Sequence, residues 1–388
     1  MSLRPLTLVG MIISIVTGIA LGVLVHTRVP HEPSPAADTL DQVLRQVADN
    51  YVEEVSEEEL LERAIEGMMQ GLDRHSNYLD RDSVESLEAT TTGQFGGIGI
   101  ELGFVDGHYT IISPMDFTPA ARVGLRSGDR ITHIEGDTVT GMKMPALVER
   151  LRGEPGSAVK LTIEREGYAG REFEIEREVI RVASVNTRLL EPGYGYLRIS
   201  QFQTSTGEDV RKAIETFTDE DDLKGLVLDL RNNPGGTLHS SVEVSDHFLE
   251  SGLIVYTQGR LKSSHVKYRA TRGDLLDGLP IVVLINGGSA SASEIVAASL
   301  RDHKRATLMG TKSYGKGSVQ SVLPLDDTQA LKLTTAYYYT PNGHTIHESG
   351  IEPDLHFEGA DEELLDEAVQ FLKRQGATSL QARLNESG

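Results

Sequence analysis

The sequence predicts an α/β (α+β) protein with a layered core, an inserted β-rich module and helices at its N-terminal end. Apolar residues recur at helical spacing between residues 38 and 71. Glycine loops and alternating apolar residues fill residues 94–168, which indicates short strands. From about residue 175 onward, apolar strands alternate with amphipathic helices, the pattern of a layered α/β domain.

The first residues form an uncharged apolar stretch. Residues 6–25 carry no charge and are long enough for a membrane span, which takes roughly 20 residues. We expect residues 1–27 to be an uncleaved anchor, with Arg4 on the cytoplasmic side and the remainder exported. A cleaved signal peptide is the alternative. The proline-rich residues 28–37 then predict an extended linker.

Residues 38–93 are predicted to form an N-terminal helical region. The acidic run from Glu57 to Glu59 is expected to begin the second helix, because negative charge is favourable at a helix N-terminus. The two apolar stripes consist of Leu40, Val43, Leu44 and Val47, and of Leu60, Leu61, Ala64, Ile65 and Met68.

Composition excludes several classes of function. The 388 residues contain no cysteine, so disulfides and thiol catalysis are excluded. The formal net charge of −21 argues against a nucleic-acid partner and against docking on an anionic membrane surface. His344 and His347 form a pair without an evident third ligand, and the glycines near residue 97 are not followed by a helix. We therefore expect no metal and no cofactor.

The β-rich module, residues 94–168, carries two ordered signals. A glycine loop at residues 95–99 leads into a strand, and residues 120–131 read A-x-x-x-G-L-x-x-G-D-x-I. This resembles a PDZ domain, which implies binding of a peptide C-terminus by strand addition against a helix near residues 143–151. The alternative is a glycine-rich hairpin without a ligand. The residues expected to bind the peptide are Gly97, Ile98, Gly99, Ile100, Leu102, Leu147 and Leu151.

The remaining chain supplies the strands and helices of the layered core. Strands are predicted at residues 195–200, 225–230, 281–285, 306–309 and 331–339. Helices are predicted at residues 208–217, 238–249, 293–303 and 361–372.

Ser291 and Lys316 are the candidate catalytic residues. Ser291 lies in a small-residue turn before a helix, and Lys316 stands between two glycines with Gln320 four residues later. A serine needs a base, and a lysine can act as one when burial lowers its pKa. Serine–lysine pairs are an established form of serine hydrolase. The competing interpretation is a capping box formed by Ser291 and Glu294, with Lys316 a solvated loop residue.

Backbone N–H groups near Ser291 could hold an oxyanion. The first N–H groups of a helix have no intrahelical partner, so Ala292 is one candidate donor. The second candidate is Gly235 or Gly236, in the turn that follows an apolar strand. An ordinary strand-to-helix turn is the alternative for that segment.

Together these segments resemble the C-terminal processing peptidases, bacterial and plastid serine–lysine proteases that carry a PDZ domain. The matching segments are residues 71–79, 230–236, 289–294, 316–320 and 340–354. The sequence departs from the family pattern at Arg74, Asn342, His344, His347, Glu348 and Ser349. The resemblance implies that Ser291 is the nucleophile, Lys316 its general base and Gln320 the partner that orients the lysine. It also implies a ClpP/crotonase-like protease core over residues 169–360, followed by a C-terminal helix and tail over residues 361–388.

The function implied by this resemblance is serine endopeptidase activity. The PDZ domain would recognise apolar C-terminal tails of protein substrates, and cleavage would occur near them in the bacterial periplasm. A homo-oligomer, an adaptor protein and the inner membrane are the other expected partners. The alternative is a non-catalytic, PDZ-based peptide-binding or scaffold protein on the same fold.

Overall fold

The computed structural model describes residues 34–165, 168–220, 222–271 and 273–386. The predicted anchor and most of the predicted linker lie outside the described residues. Among the helices that the structure describes, none is both long enough and apolar enough to cross a membrane. The chain divides into two compact units, Met1–Tyr78 and Leu79–Gly388.

The first unit contains two helices that pack against each other, α1 (Pro35–Asn50) and α2 (Glu57–Gln70). Each begins after a serine whose side chain accepts a backbone N–H, which satisfies one of the unpaired donors of the first turn. Both predicted helices are confirmed, and α2 begins at the acidic run as expected. The short strand β1 (Asn77–Leu79) spans the boundary between the units.

The second unit opens with α3 (Arg81–Thr92), which ends at Gly93 in a left-handed conformation. Strand β2 (Gln94–Gly97) leads into the small module. Its strands are β3 (Ile100–Val105), β4 (His108–Pro114), β5 (Arg130–Ile134), β6 (Asp137–Thr138), β7 (Ala158–Arg165) and β8 (Tyr168–Glu176), and its helices are α4 (Pro119–Arg122) and α5 (Met144–Leu151).

The sheet of this module has the order β3-β4-β5-β7-β8, so β3 is an edge strand. The module extends beyond its predicted end at residue 168, because β8 pairs with β7 along its whole length. Phe173 and Ile175 alternate with charged residues in this strand and are buried in the core of the module. The next strand, β9 (Glu178–Arg181), pairs antiparallel with β2, so the two chain segments that join the module to the core run side by side.

The core follows with ten strands and four helices in the described part of the chain. The strands are β10 (Val185–Glu191), β11 (Tyr194–Ile199), β12 (Gly225–Asp229), β13 (Gly252–Gln258), β14 (Lys267–Ala270), β15 (Ile281–Ile285), β16 (Ala306–Gly310), β17 (Ser318–Pro324), β18 (Ala330–Tyr339) and β19 (Leu355–His356). The helices are α6 (Thr206–Glu220), α7 (Leu238–Asp246), α8 (Ala292–Asp302) and α9 (Asp361–Glu386), with one 3-10 turn at Lys262–Ser264.

One core sheet has the order β10-β11-β12-β15-β16-β19 and is parallel from β11 onward. Its central strands are buried on both faces. Leu226 and Leu228 pack with α6, α7 and α8, whereas Val227 packs on the other face with Leu364 and Leu372 of α9. This explains their continuous apolar sequence, and it confirms the predicted layered α/β core. A second sheet contains β13, β14, β17 and β18, paired antiparallel.

Candidate active site

Ser291 lies at the carboxyl end of β15, immediately before α8. Its backbone has φ 57° and ψ −114°, a combination that costs a non-glycine residue on the order of 1–3 kcal/mol. The surrounding loop holds it there. The Ser289 hydroxyl donates to the Leu230 carbonyl at 2.8 Å, and the Ala290 N–H donates to the Asn233 carbonyl at 3.0 Å. The strained turn therefore rests on the loop after the neighbouring strand β12.

The loops after β12 and β15 are joined by two asparagines. The Asn232 N–H donates to Asn286 Oδ1 at 2.9 Å, and Asn286 Nδ2 donates to Asn232 Oδ1 at 3.0 Å. Gly235 lies directly against the serine, since a Cβ there would be 2.7 Å from the Ser291 Cβ. Only glycine permits that approach at residue 235, and Gly236 is required separately, because a Cβ there would be 2.1 Å from the Phe202 carbonyl oxygen.

The predicted oxyanion donors differ in their availability. Within the described residues, the N–H groups of Ala292 and Gly236 donate to no other group. The Gly235 N–H instead donates to Asn233 Oδ1 at 2.9 Å. The structure therefore leaves Ala292 and Gly236 able to receive a developing oxyanion, and it occupies Gly235 with an internal bond.

Lys316 lies half-buried in the loop between β16 and β17. Burial lowers the pKa of its amine, the positive charge of Lys332 lowers it further, and the negative charge of Glu294 opposes the shift. Among the described residues its Nζ forms no hydrogen bond or ion pair. A lysine of lowered pKa without a partner carboxylate is suited to accept a proton.

Glu294 joins the serine to the lysine loop. It is 0% exposed, and its carboxylate accepts four hydrogen bonds. Oε2 accepts the N–H groups of Ser291 and Lys316 at 2.8 and 2.9 Å, while Oε1 accepts the Ser313 hydroxyl and the Gly315 N–H at 2.6 and 2.7 Å. The capping interpretation is therefore accurate for Glu294, yet the same carboxylate brings the two candidate catalytic residues together. In the sequence, nothing distinguishes this role of Glu294 from that of an ordinary helix cap.

Gln320 forms no hydrogen bond with Lys316 among the described residues. A bulge between Val319 and Gln320 places the glutamine opposite Thr334 of β18. Its Nε2 donates to Ser318 Oγ at 2.9 Å and to Thr334 Oγ1 at 3.3 Å. Among the described residues its Oε1 accepts no hydrogen bond, so this oxygen is the atom through which it could orient an ammonium group.

The predicted peptide-binding residues differ in position and in exposure. Ile98, Leu147 and Leu151 are 2%, 0% and 6% exposed, so they fill the core of the module and do not line an open groove. Ile100 and Leu102 are half-buried on the edge strand β3. Gly97 belongs to β2 and pairs with Glu178 of β9.

The N–H groups of Ile98 and Gly99 are available for a ligand. Within the described chain, neither N–H donates a hydrogen bond. Both precede the edge strand β3, whose one partner in the sheet is β4. A peptide carboxylate and a peptide strand could therefore be accepted at adjacent positions.

The part of the chain that the structure describes contains no group of three His, Cys, Asp or Glu side chains arranged for a metal ion. His347 packs with its ring centroid 4.8 Å from that of Tyr337.

Three family models match the chain. Peptidase family S41 matches residues 193–357, a PDZ domain matches residues 110–165, and the N-terminal domain of the activating protease CtpB matches residues 27–83. A putative S41 protease from Bacteroides fragilis has a similar fold, with a TM-score of 0.50, 19% identity, and coverage of 86% of this chain and 97% of that chain.

Two relatives extend the similarity along most of the sequence. The carboxy-terminal processing protease CtpB of Bacillus subtilis is 35% identical, over 84% of this chain and 68% of that protein. The carboxy-terminal-processing protease of Bartonella bacilliformis is 45% identical, over 81% of this chain and 73% of that protein. Identity at this level over most of both proteins does not arise from a shared fold alone, and it means that this chain belongs to peptidase family S41 as a serine peptidase of the carboxy-terminal processing type, with a PDZ domain.

Proposed function

We propose that this peptidase recognises the C-terminal tails of protein substrates through its PDZ domain and cleaves near them with Ser291 and Lys316. The observation that carries the proposal is the shared carboxylate of Glu294. Its Oε2 accepts the backbone N–H groups of both Ser291 and Lys316, and the N–H of the next residue, Ala292, is available. This arrangement supports the assignment, because it holds the backbones of the nucleophile and the base next to an oxyanion donor.

The reaction follows from these positions. Neutral Lys316 takes the hydroxyl proton of Ser291 as the serine oxygen attacks the scissile carbonyl carbon. The carbonyl oxygen gains a negative charge, which the N–H groups of Ala292 and Gly236 stabilise. The C–N bond then breaks, and the protonated Lys316 returns its proton to the leaving amine. A water molecule, deprotonated by the same lysine, hydrolyses the acyl-enzyme ester and restores Ser291.

Gln320 is proposed to accept a hydrogen bond from the lysine ammonium through Oε1. Because Ser318 and Thr334 hold its amide nitrogen, the oxygen is its remaining polar atom. A carbonyl acceptor stabilises the protonated lysine until the lysine transfers its proton to the leaving amine.

The catalytic assignment is tested by peptide hydrolysis with Ser291→Ala and Lys316→Arg. Loss of a triad-type nucleophile lowers turnover by on the order of a million-fold, and arginine cannot give up its proton at working pH. Lys312→Arg is the matched control, because Lys312 lies in the same loop but pairs with Glu352 at 2.8 Å at the surface. Near-normal hydrolysis by either folded site variant would refute the assignment.

Tail recognition is tested with one peptide in free-acid and C-terminally amidated forms. Amidation removes the carboxylate that Ile98 and Gly99 are proposed to receive, but it leaves the scissile bond unchanged. We expect the free acid to be cleaved with the higher kcat/KM. Equal cleavage of the two forms would contradict capture of the carboxylate.

We also propose that the protein is exported and stays anchored to the inner membrane through residues 6–25. The support is the uncharged apolar stretch preceded by Arg4. Proteinase K should digest the chain in spheroplasts but spare a cytoplasmic control protein. Protection of the chain in intact spheroplasts would contradict export.

A homo-oligomer, with an adaptor protein as a further partner, completes the proposal. Its support is the apolar surface of the first unit, where Val43, Met68 and Leu72 are all more than half exposed. Sedimentation of the protein without residues 1–27 should give more than the monomer mass, and Val43→Glu should lower that mass. A monomer at micromolar concentration would contradict the oligomer.

A further inference from the structure

Tyr338 is oriented differently from its neighbours on β18. Three tyrosines follow one another there, and successive side chains of a strand point to opposite faces. Tyr337 is 42% exposed, and Tyr339 stacks on Tyr256 with ring centroids 5.1 Å apart. Tyr338 is 2% exposed and belongs to the main core. Its hydroxyl therefore needs partners inside the protein.

Its surroundings are the two candidate catalytic residues. The Tyr338 hydroxyl donates to the main-chain carbonyl of Lys316, and the phenol lies beside the side chain of Ser291. The backbone N–H of Tyr338 donates to the Gly317 carbonyl at 3.0 Å, so strand β18 lies beside this loop. Burial raises the pKa of the phenol, so it stays protonated and remains a donor at working pH.

The backbone of Lys316 is thus fixed on both sides of its Cα. Glu294 accepts its N–H at 2.9 Å, and Tyr338 donates to its carbonyl. The amine has no hydrogen-bond partner among the described residues, so hydrogen bonds hold this residue only at its main chain. Both buried side chains also contact Ser291, one at its N–H and the other at its hydroxyl.

We infer that Tyr338 is a positioning residue for the Ser291–Lys316 pair, holding the lysine carbonyl and the serine hydroxyl at a fixed separation. The inference rests on the proposed catalytic roles of those two residues. The single phenol proton is donated to the Lys316 carbonyl, so the phenol oxygen can only accept a hydrogen bond from the Ser291 hydroxyl before reaction. On attack that serine O–H bond breaks and an N–H bond forms on Lys316, while the tyrosine keeps its own proton.

The test compares three variants of the whole protein with an unamidated tail peptide as substrate. Tyr338→Phe removes the hydroxyl and keeps the ring, Tyr338→p-aminophenylalanine restores an N–H donor, and Tyr339→Phe is the matched control on the next residue. Active sites are counted by titration with a fluorophosphonate, so that unfolded protein does not enter kcat.

We expect Tyr338→Phe to lower kcat by about 10- to 100-fold, as small displacements of reacting groups do, with KM within about threefold of wild type. The aminophenylalanine variant should recover most of the lost kcat, although its ring fills the same space as that of phenylalanine. Tyr339→Phe should match wild type. The midpoint of the acid limb of kcat/KM should stay in place, since no charge is removed.

Three results would overturn the inference: a wild-type kcat in Tyr338→Phe, an aminophenylalanine variant as slow as the phenylalanine variant, or a rise in KM with kcat unchanged. If Tyr338→Phe does not fold, the aminophenylalanine variant decides alone, and a kcat more than about 30-fold below wild type refutes the positioning role. Ser291→Ala separates the two hypotheses. An active Ser291→Ala would refute the proposed catalytic mechanism, whereas an inactive Ser291→Ala beside a fully active Tyr338→Phe would refute this inference only.

Discussion

Replacing Glu294 with glutamine should damage both stability and activity. The carboxylate is fully buried and accepts four hydrogen bonds, two on each oxygen. Glutamine has the same shape, but its amide offers one acceptor oxygen and one donor nitrogen. One pair of donors must therefore face an NH2 group.

The structure decides which pair this is. On the Oε1 side, the Ser313 hydroxyl can rotate and accept from the new amide, whereas the Gly315 N–H cannot. On the Oε2 side, both donors are backbone N–H groups, of Ser291 and Lys316. The amide nitrogen should therefore lie beside Ser313 and leave one buried N–H unpaired. That costs about 1–3 kcal/mol, and the loss of charge assistance on the other bonds brings the total to about 2–4 kcal/mol.

Urea unfolding and peptide hydrolysis measure the two effects. We expect the free energy of unfolding to fall by about 2–4 kcal/mol and kcat to fall by at least about tenfold, because the serine and lysine segments lose part of their common support. Glu352→Gln is the control, since that carboxylate is 66% exposed and pairs with Lys312 at the surface. A Glu294→Gln enzyme with unchanged stability and kcat would refute the reasoning.

The lysine base, the glycine turn and a buried ion pair can each be tested by a single substitution. The acid limb of kcat/KM should have its midpoint below the ordinary lysine pKa of 10.5, because burial and the charge of Lys332 lower the pKa of Lys316 and the base acts when neutral. Lys332→Ala should move the midpoint to higher pH, and a wild-type midpoint at or above 10.5 contradicts the assignment. Gly235→Ala should slow fluorophosphonate labelling of Ser291 by about 100-fold, since the new Cβ would lie 2.7 Å from the serine Cβ at a backbone φ of 105°, and labelling at the wild-type rate would contradict this. Asp229→Asn should lower the free energy of unfolding by about 3–5 kcal/mol, because it breaks a buried ion pair of 2.6 Å; a loss below 1 kcal/mol in urea unfolding would contradict it.

The sequence predicted the secondary structure best in segments where burial of apolar side chains is the dominant interaction. Strands β12 and β15 are short apolar runs because both of their faces are buried. Turns that contain glycine and asparagine follow the carboxyl end of each strand. Helix α3 lies inside the predicted helical region, residues 38–93, but no apolar stripe marked it as a separate helix, since its sequence is polar and ends in three threonines, which are weak helix formers. The helix begins after the cap residue Asp80 and ends at Gly93 in a left-handed conformation. Aspartate and glycine are also common in loops, so these two residues alone do not identify a helix.

The family resemblance implied that Ser291, Lys316 and the glycine turn act together, and in the structure each of them follows a strand of the same parallel sheet, at the carboxyl ends of the strands. It could not predict which polar atoms remain available there. Asn233 takes the N–H of Gly235 and leaves that of Gly236, and the bulge before Gln320 turns its amide toward β18. Both outcomes depend on contacts between loops far apart in sequence. Motifs thus identify the residues that reach a site, whereas the donor and acceptor roles are assigned by neighbours that carry no motif of their own.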